Sequence, residues 1–250
     1  MSTARTIDEV IFHLDQIIDR CSRDRSRMGY FPALYRKVTV KVKEGIAAGR
    51  FEDGPRMEHL DVRFANRYLE AYYAFHTGKP VTQSWRLAFD SASHWWPIVL
   101  QHLLLGMNAH INLDLGIAAA ETAPGNQLPT LRNDFNTIND ILHHLIDEVQ
   151  EELAEVWPLL RRLDLVAGDL DELLSRFGID LSRDKAWAVA EELSTLPPEQ
   201  RSAAIEQIDK GVFDFGQKVL GPPKFWFRMG LMLVRLGERQ AVDRVISILR

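Results

Sequence analysis

The chain has 250 residues, 46% hydrophobic and 26% charged, with 30 Lys and Arg against 35 Asp and Glu and a formal net charge of −5. That much apolar material excludes a disordered chain, and the acidic balance excludes a protein whose affinity comes from many phosphate contacts. The lone cysteine, Cys21, excludes an internal disulfide scaffold and points to a reducing compartment.

The elements read as helices from the start. Arg5, Asp8, Glu9, Asp15 and Asp19 interrupt the first twenty residues, leaving no apolar stretch of the kind a secretory signal needs, so a cytoplasmic protein is expected. Ile7, Val10, Ile11, Leu14, Ile17 and Ile18 follow the i, i+3, i+4, i+7 template of an amphipathic helix. Arg20, Arg23 and Arg25 around Cys21 would lower its pKa, although a lone cysteine without a committed histidine reads as incidental. Helical patterns continue from Pro32 to Ala48, stopped by Gly49, and from Pro55 to His76, stopped by Gly78. A shorter one runs from Thr82 to Ala92. A long one follows Pro97 to Thr122, before the turn cluster Ala123-Pro124-Gly125-Asn126. Thr130 is placed to cap another long helix, which Pro158 should bend or end.

Shorter helices are expected over Asp169–Phe177, Ser182–Leu193 with Ser182 as cap, Pro198–Leu220, Pro222–Leu236 and Glu238–Leu249. The links are short, so the expectation is one compact all-α domain over 1–250, a bundle of about ten helices around a central buried helix. A soft sub-boundary near 165 separates a long-helix core, 1–163, from shorter helices, 164–250. The longest apolar stretch, Trp95–Met107, falls short of the roughly 20 residues that span a bilayer, so no integral membrane segment is expected.

The stretch from Ile98 to Thr122 is apolar nearly all round, the pattern of a central helix, yet it contains His102, Asn108, His110, Asn112 and Asp114. A buried unpaired carboxylate costs several kcal/mol, so Asp114 needs a partner, a metal or a wet pocket. His110 and Asp114 are one turn apart and share a face, where they can hydrogen-bond or clip one metal ion. His102 lies about 80° round from His110 and could join them. Gly106 between them permits close approach of another helix or a ligand. A satisfied polar clamp explains the pair equally well.

Other candidates surround this pair. His143–Asp147 and His144–Glu148 repeat the i,i+4 spacing on the next long helix and, with the first pair, resemble a helix-borne zinc site; a solvated acidic face is the plainer reading. Asp134 suits the first turn of that helix, and Asn139 falls between apolar neighbours. Asp61 and Asn66 are pocket polars or, for Asp61, a partner of Arg63 or Arg67. Tyr35-Arg36 offers a phenol and an anion-binding guanidinium. His94-Trp95-Trp96 marks a helix junction that lines a pocket or seals a core edge. Lys224-Phe225-Trp226-Phe227-Arg228-Met229 opens an aromatic, mildly basic helix: a pocket lid, a homodimer face, a membrane-surface contact or ordinary packing. No dinucleotide fingerprint, P-loop or nucleophile elbow occurs.

The run Leu104-Leu105-Gly106-Met107-Asn108-Ala109-His110-Ile111-Asn112-x-Asp114-Leu115 resembles the signature of an uncharacterised all-helical family of bacterial and fungal proteins, a domain of unknown function. Phe31 to Thr39, Asp61 to Tyr68, Asp134-Phe135-x-x-Ile138-Asn139 and, more loosely, Ala186-Trp187-x-x-Ala190 fit the same family. The resemblance implies an all-helical fold rather than an activity. The i,i+4 His–carboxylate spacing is also similar to that of the zinc phospholipase C and P1-type nuclease group. The chain departs from that group by beginning Met1-Ser2 instead of a ligating tryptophan and by carrying Ala118-Ala119-Ala120 where a further histidine belongs.

Three functions follow as expectations. The first is a metal-dependent hydrolase of a phosphoester, with a divalent ion, zinc foremost, held by His110, Asp114, His102, His143 and Asp147 and activating water. The second is a metal-free cyclase, lyase or isomerase on a small apolar metabolite, with His110 as acid/base, Asp114 orienting it, and Asn108, Asp61 or Tyr35 assisting. The third is a non-enzymatic binding protein with a structural His110–Asp114 clamp. A small-molecule substrate is the expected partner of the enzymes. Nucleic acid is not expected, because no basic stripe with interleaved aromatics stands out.

Overall fold

The structure, a computed structural model, describes residues 3–142, 178–221, 225–238 and 240–250, and it is all-α, with no strand among the described residues. Helix α1, Ile7–Arg23, begins where the Thr6 hydroxyl accepts the Glu9 amide at 3.2 Å and buries Val10, Leu14, Ile17 and Ile18. Acidic residues in its first turn and arginines in its last both complement the helix dipole. Helix α2, Tyr30–Ala47, starts two residues before its proline, and the chain leaves it through Gly49 at φ +67°. Helix α3, Gly54–His76, is capped by Asp53, whose carboxylate accepts the Arg56 amide at 3.0 Å.

Helix α4, Gln83–Ser91, has a cap supplied from far along the chain. The Asp209 carboxylate accepts the Gln83 amide at 2.7 Å, the Ser84 amide at 3.0 Å and the Ser84 hydroxyl at 2.6 Å. The central rod is α5, Val99–Ala109, then a π-helical turn, His110–Leu115, then α6, Gly116–Thr122. Taken together, Val99–Thr122 is long and apolar enough to cross a membrane, but its most apolar stretch is 83% buried by the rest of the fold. It is the core helix the sequence leads one to expect.

Residues 132–142 form α7 as far as it is described. Thr130 does not cap it. Residues Gly125–Leu131 form a tight 3-10 segment that leads straight into the helix, and the Thr130 hydroxyl donates to the Gln127 carbonyl at 2.7 Å. Asp134 is more than a first-turn charge: buried, it accepts the Glu52 and Asp53 amides at 2.6 and 3.1 Å and the Arg56 guanidinium at 2.9 Å. Pro158, His143–Asp147, His144–Glu148, the 165 boundary and the 169–177 helix lie outside the described residues. Helix α8, Ile179–Thr195, starts earlier than expected, so Ser182 lies inside it and its amide donates to the Gly178 carbonyl instead of capping. Then come α9, Pro198–Leu220, α10, Phe225–Gly237, and α11, Val242–Leu249.

The later helices pack directly on the central rod. Helix α6 lies against α8 closely enough that a Cβ on Gly116 would stand 2.7 Å from the Ala186 carbonyl. Helix α9 covers α4 and α5, and α11 closes on α1 and α2, where Arg250 bonds Asp15 and Asp19 at 2.6 and 2.7 Å. Two apolar clusters result, one gathered mainly by α1 to α5, α10 and α11, the other by the start of α3, the π turn, α6, α7 and α8. Val38, Phe64 and Ile111 touch both. The π turn lies at that seam.

Candidate functional site

Asp114 is a buried carboxylate held by side chains from two other helices. Its Oδ1 accepts the Arg67 Nε–H at 2.8 Å, and its Oδ2 accepts the Trp85 indole N–H at 2.8 Å. His110 Nδ1 stands 3.5 Å from Oδ2, a loose contact across the turn. With that nitrogen's proton directed at Asp114, Nε2 carries the lone pair. Burial lowers the His110 pKa and the nearby Arg67 lowers it further, while Asp114 opposes both; the ring is neutral at pH 7.

Aromatic rings wall the imidazole in. Phe64 lies flat on it, centroids 3.5 Å apart and planes within 8°. Tyr35 meets it edge-on at 4.4 Å, Phe31 at 5.5 Å and Tyr68 at 6.3 Å. Gly106, one turn back, lets Phe31 in: a Cβ there would be 2.5 Å from the Phe31 ring. Phe64 is only partly buried, so it is the thinnest part of this wall.

Buried polar atoms without a hydrogen-bond partner among the described residues include His110 Nε2, the Oη atoms of its wall residues Tyr35 and Tyr68, and Oδ2 of Asp61, whose charge acts on the Tyr35 phenol. Thr39 is close to Tyr35, but its hydroxyl donates to the Tyr35 backbone carbonyl at 3.1 Å. Burial, and then the charges of Asp61 and Asp114, push the Tyr35 phenol well above its ordinary value. Burial, with a smaller contribution from Glu58, raises the Asp61 carboxyl to about 7. Asp61, Phe64 and Tyr68 are spaced i, i+3, i+7, one face of α3, and Tyr35 approaches from α2.

His110, Asp114 and Tyr35 come together, and Asp61 lies near enough to Tyr35 to act on its phenol. Asp61 pairs with neither arginine: Arg67 is spent on Asp114, while Arg63 bonds His59 at 3.0 Å and Glu121 at 3.4 Å. Asn108 is not at the cage; its amide donates to the Val212 carbonyl at 2.8 Å and its oxygen accepts from Asn112 at 2.8 Å, tying α5 to α9. His102 faces Tyr30 (rings 5.8 Å apart) and Ser91 (3.4 Å), on a cavity of about 20 Å³ that suits one water and is lined also by Phe31, Tyr68 and Trp85. Burial holds its pKa near 3. Arg36 makes the plain ion pair, to Asp15 at 2.6 Å. Asn66 pins the N-terminal chain through both Ala4 backbone groups at 2.9 Å. The Cys21 thiol is pushed up by burial beside Tyr72, overturning the lowering expected from its arginine neighbours.

A metal fits poorly at Asp114, because the Arg67 guanidinium holds the place beside Oδ1 that a cation would take. Among the described residues no group of three or more His, Cys, Asp or Glu side chains converges as ligands. His143 and Asp147 lie outside them.

Sequence reasoning missed Trp85, the second donor to Asp114, and the enclosing role of Phe64 and Tyr68. Only the position of Trp85 among apolar residues of α4 hinted at its burial.

Fold and site define an all-helical protein whose central helix opens into a π turn to hold a buried His–Asp pair inside aromatic walls. The chain belongs to the family of unknown function DUF5995, which matches residues 7–222. No curated protein matches it, and no solved structure does either. The likeness to zinc phospholipases and P1-type nucleases therefore rests on the His–Asp spacing alone.

Proposed function

We propose that the protein is a metal-free acid/base enzyme acting on a small, largely apolar metabolite. The observation that carries this is a buried His110 whose Nε2 has no hydrogen-bond partner among the described residues, walled edge-on by Tyr35, whose phenol oxygen is likewise unpartnered and feels the charge of a third unpartnered group, Asp61. Each such atom costs about 1–3 kcal/mol, against a total stability of about 5–15 kcal/mol for a typical domain. A fold retains that burden where the groups have work to do. The π turn supports the reading, since such turns concentrate at functional sites. In this scheme His110 Nε2 is the base, Asp114 and Arg67 fix its tautomer, and Asp61 and Tyr35 hold protons for the substrate's oxygen. An acid that titrates near 7 and a neutral imidazole can exchange roles at physiological pH.

The rings leave no open cavity at His110, so substrate entry requires Phe64 to swing aside. The same tight packing favours a second reading, a purely structural His–Asp clamp. Incubation with a metabolite extract, comparing the native protein with His110→Gln by mass spectrometry, separates the two. Depletion of a compound by the native protein alone, insensitive to chelator, is the expected result. Depletion abolished by chelator would restore the metal-dependent hydrolase. No depletion, together with a His110→Gln protein that is only less stable, would leave the clamp.

A further inference from the structure

Helix α10 is apolar on two sides. Gly230, Leu231 and Val234 face the core, whereas Phe225, Trp226, Met229, Met232, Leu233 and Leu236 are exposed, Trp226 at 72% and Leu236 at 60%. The exposed set repeats at i, i+4, i+7, i+8 and i+11 from Phe225, a stripe along the outer face. Arg235 joins its far end to the loop before α5: its Nε–H donates to the Trp95 carbonyl at 2.6 Å and its guanidinium lies 5.4 Å over the Trp95 ring. Trp95 and Trp96 are themselves exposed, so the stripe continues onto them. Monomeric surfaces rarely leave an apolar patch of this extent bare.

The geometry points to an anionic lipid surface as the partner of this face. Tryptophans mark both ends, Trp226 at the start and Trp95 with Trp96 beside Arg235, and Met and Leu fill the roughly 15 Å between. Aromatic belts around an aliphatic centre suit a helix lying in the headgroup plane. The charge fits as well. Phe225–Gly237 contains no Asp or Glu and exposes Arg228, with Lys224 before it and Arg239 after it in the chain, although the whole chain is acidic. Glu238 is buried and spent on Arg235 and the Val99 amide, at 2.9 Å each.

Co-sedimentation with phosphatidylcholine vesicles, with and without phosphatidylglycerol, tests this, followed in parallel by tryptophan fluorescence. The full chain should bind the anionic vesicles at least about tenfold more tightly than the neutral ones, with a blue shift. Arg228→Glu should erase the preference for anionic lipid, and Met232→Asp should abolish binding to both. Met232 is half exposed, so an unchanged unfolding midpoint would show that its variant is folded. Equal, weak sedimentation of all three proteins overturns the proposal. A concentration-dependent dimer that Met232→Asp disperses, without vesicle binding, overturns it in favour of a second copy of the chain.

Discussion

The Phe64 ring covers one whole face of the His110 imidazole, parallel to it and 3.5 Å away. Among the described residues no other ring is stacked on His110 in this way; Phe31, Tyr35, Tyr68 and Trp85 all meet it at steep angles. Phe64 is also one of three side chains that touch both apolar clusters, and it is only partly buried. It therefore closes the site from the solvent side.

Replacing it should open the site. Phe64→Leu keeps an apolar plug but not the flat cover, at a stability loss of about 1 kcal/mol. Acylation of His110 by a small imidazole-directed reagent, read from its peptide by mass spectrometry, should speed up by about tenfold, equivalent to 1.4 kcal/mol in the opening equilibrium. An unchanged rate would mean that entry lies elsewhere.

The Arg67–Asp114 pair should be strongly coupled. Asp114 is almost fully buried while the Arg67 side chain is 25% exposed, so removing the arginine leaves the worse orphan. Arg67→Met should cost about 3 kcal/mol and Asp114→Asn somewhat less, and the double variant should lose about 1–3 kcal/mol less than the sum. Urea unfolding of the four proteins measures this. Arg67→Met should also raise the His110 pKa, because it removes a neighbouring positive charge while Asp114 remains. Imidazole shifts in NMR report that directly.

Two glycines set helix spacing, and their substitution should rank in a definite order. A Cβ on Gly106 meets the root of the Phe31 side chain, its Cγ at 2.5 Å and its Cβ at 2.8 Å, so Phe31 must shift with its stretch of α2. A Cβ on Gly116 meets Val189 at 2.6 Å and the Ala186 carbonyl at 2.7 Å, and a backbone oxygen moves only with its helix. Gly106→Ala displaces one side chain, at roughly 1–3 kcal/mol, and Gly116→Ala, which displaces both a side chain and a backbone carbonyl of α8, should cost more. Thermal unfolding of both gives the ranking, and the reverse order would contradict the α6–α8 contact.

The all-α fold and the central helix were legible because periodicity reports burial directly. The Pro198–Leu220 helix falls where its proline and apolar spacing put it. His110, Asp114, Asp61 and Tyr35 stood out as polar residues in apolar runs, and the structure joins the first two to Tyr35, with Asp61 beside that phenol. Their partners were not legible. Trp85 and Arg67 reach Asp114 from other helices, 29 and 47 residues away in the chain. The Asp209 cap on α4 likewise spans 125 residues to Ser84. Local periodicity carries no such information. Nor does it show that the turn at His110 is π rather than α, because both place i and i+4 on neighbouring positions. Asn108 misled for the same reason: its position on an apolar helix was right, but the face it shares with Asn112 is occupied by α9.

The pH dependence of stability should reveal Asp61. Its folded pKa is raised from 3.8 to about 7, so between those values the folded state holds a proton that the unfolded chain releases. This contribution to stability is fully present below about pH 4 and lost as pH rises through 7. The groups around the carboxyl, Glu58 on its own helix and Tyr35 on α2, supply no positive charge to offset it. His110 and His102 act in the opposite sense: their folded pKa values are depressed, so the stability they contribute is present above about 6.5 and is lost as pH falls. In the native protein the two slopes partly cancel between pH 4 and 6.5. Asp61→Asn removes one of them. Its stability should match the native protein's near pH 4, climb with pH through the histidine range, and exceed the native value at pH 8 by about 2 kcal/mol or more. Urea unfolding across that range measures both curves. Parallel curves would show that Asp61 is already ionised in the fold, and Asp61 would then lose its part as proton donor.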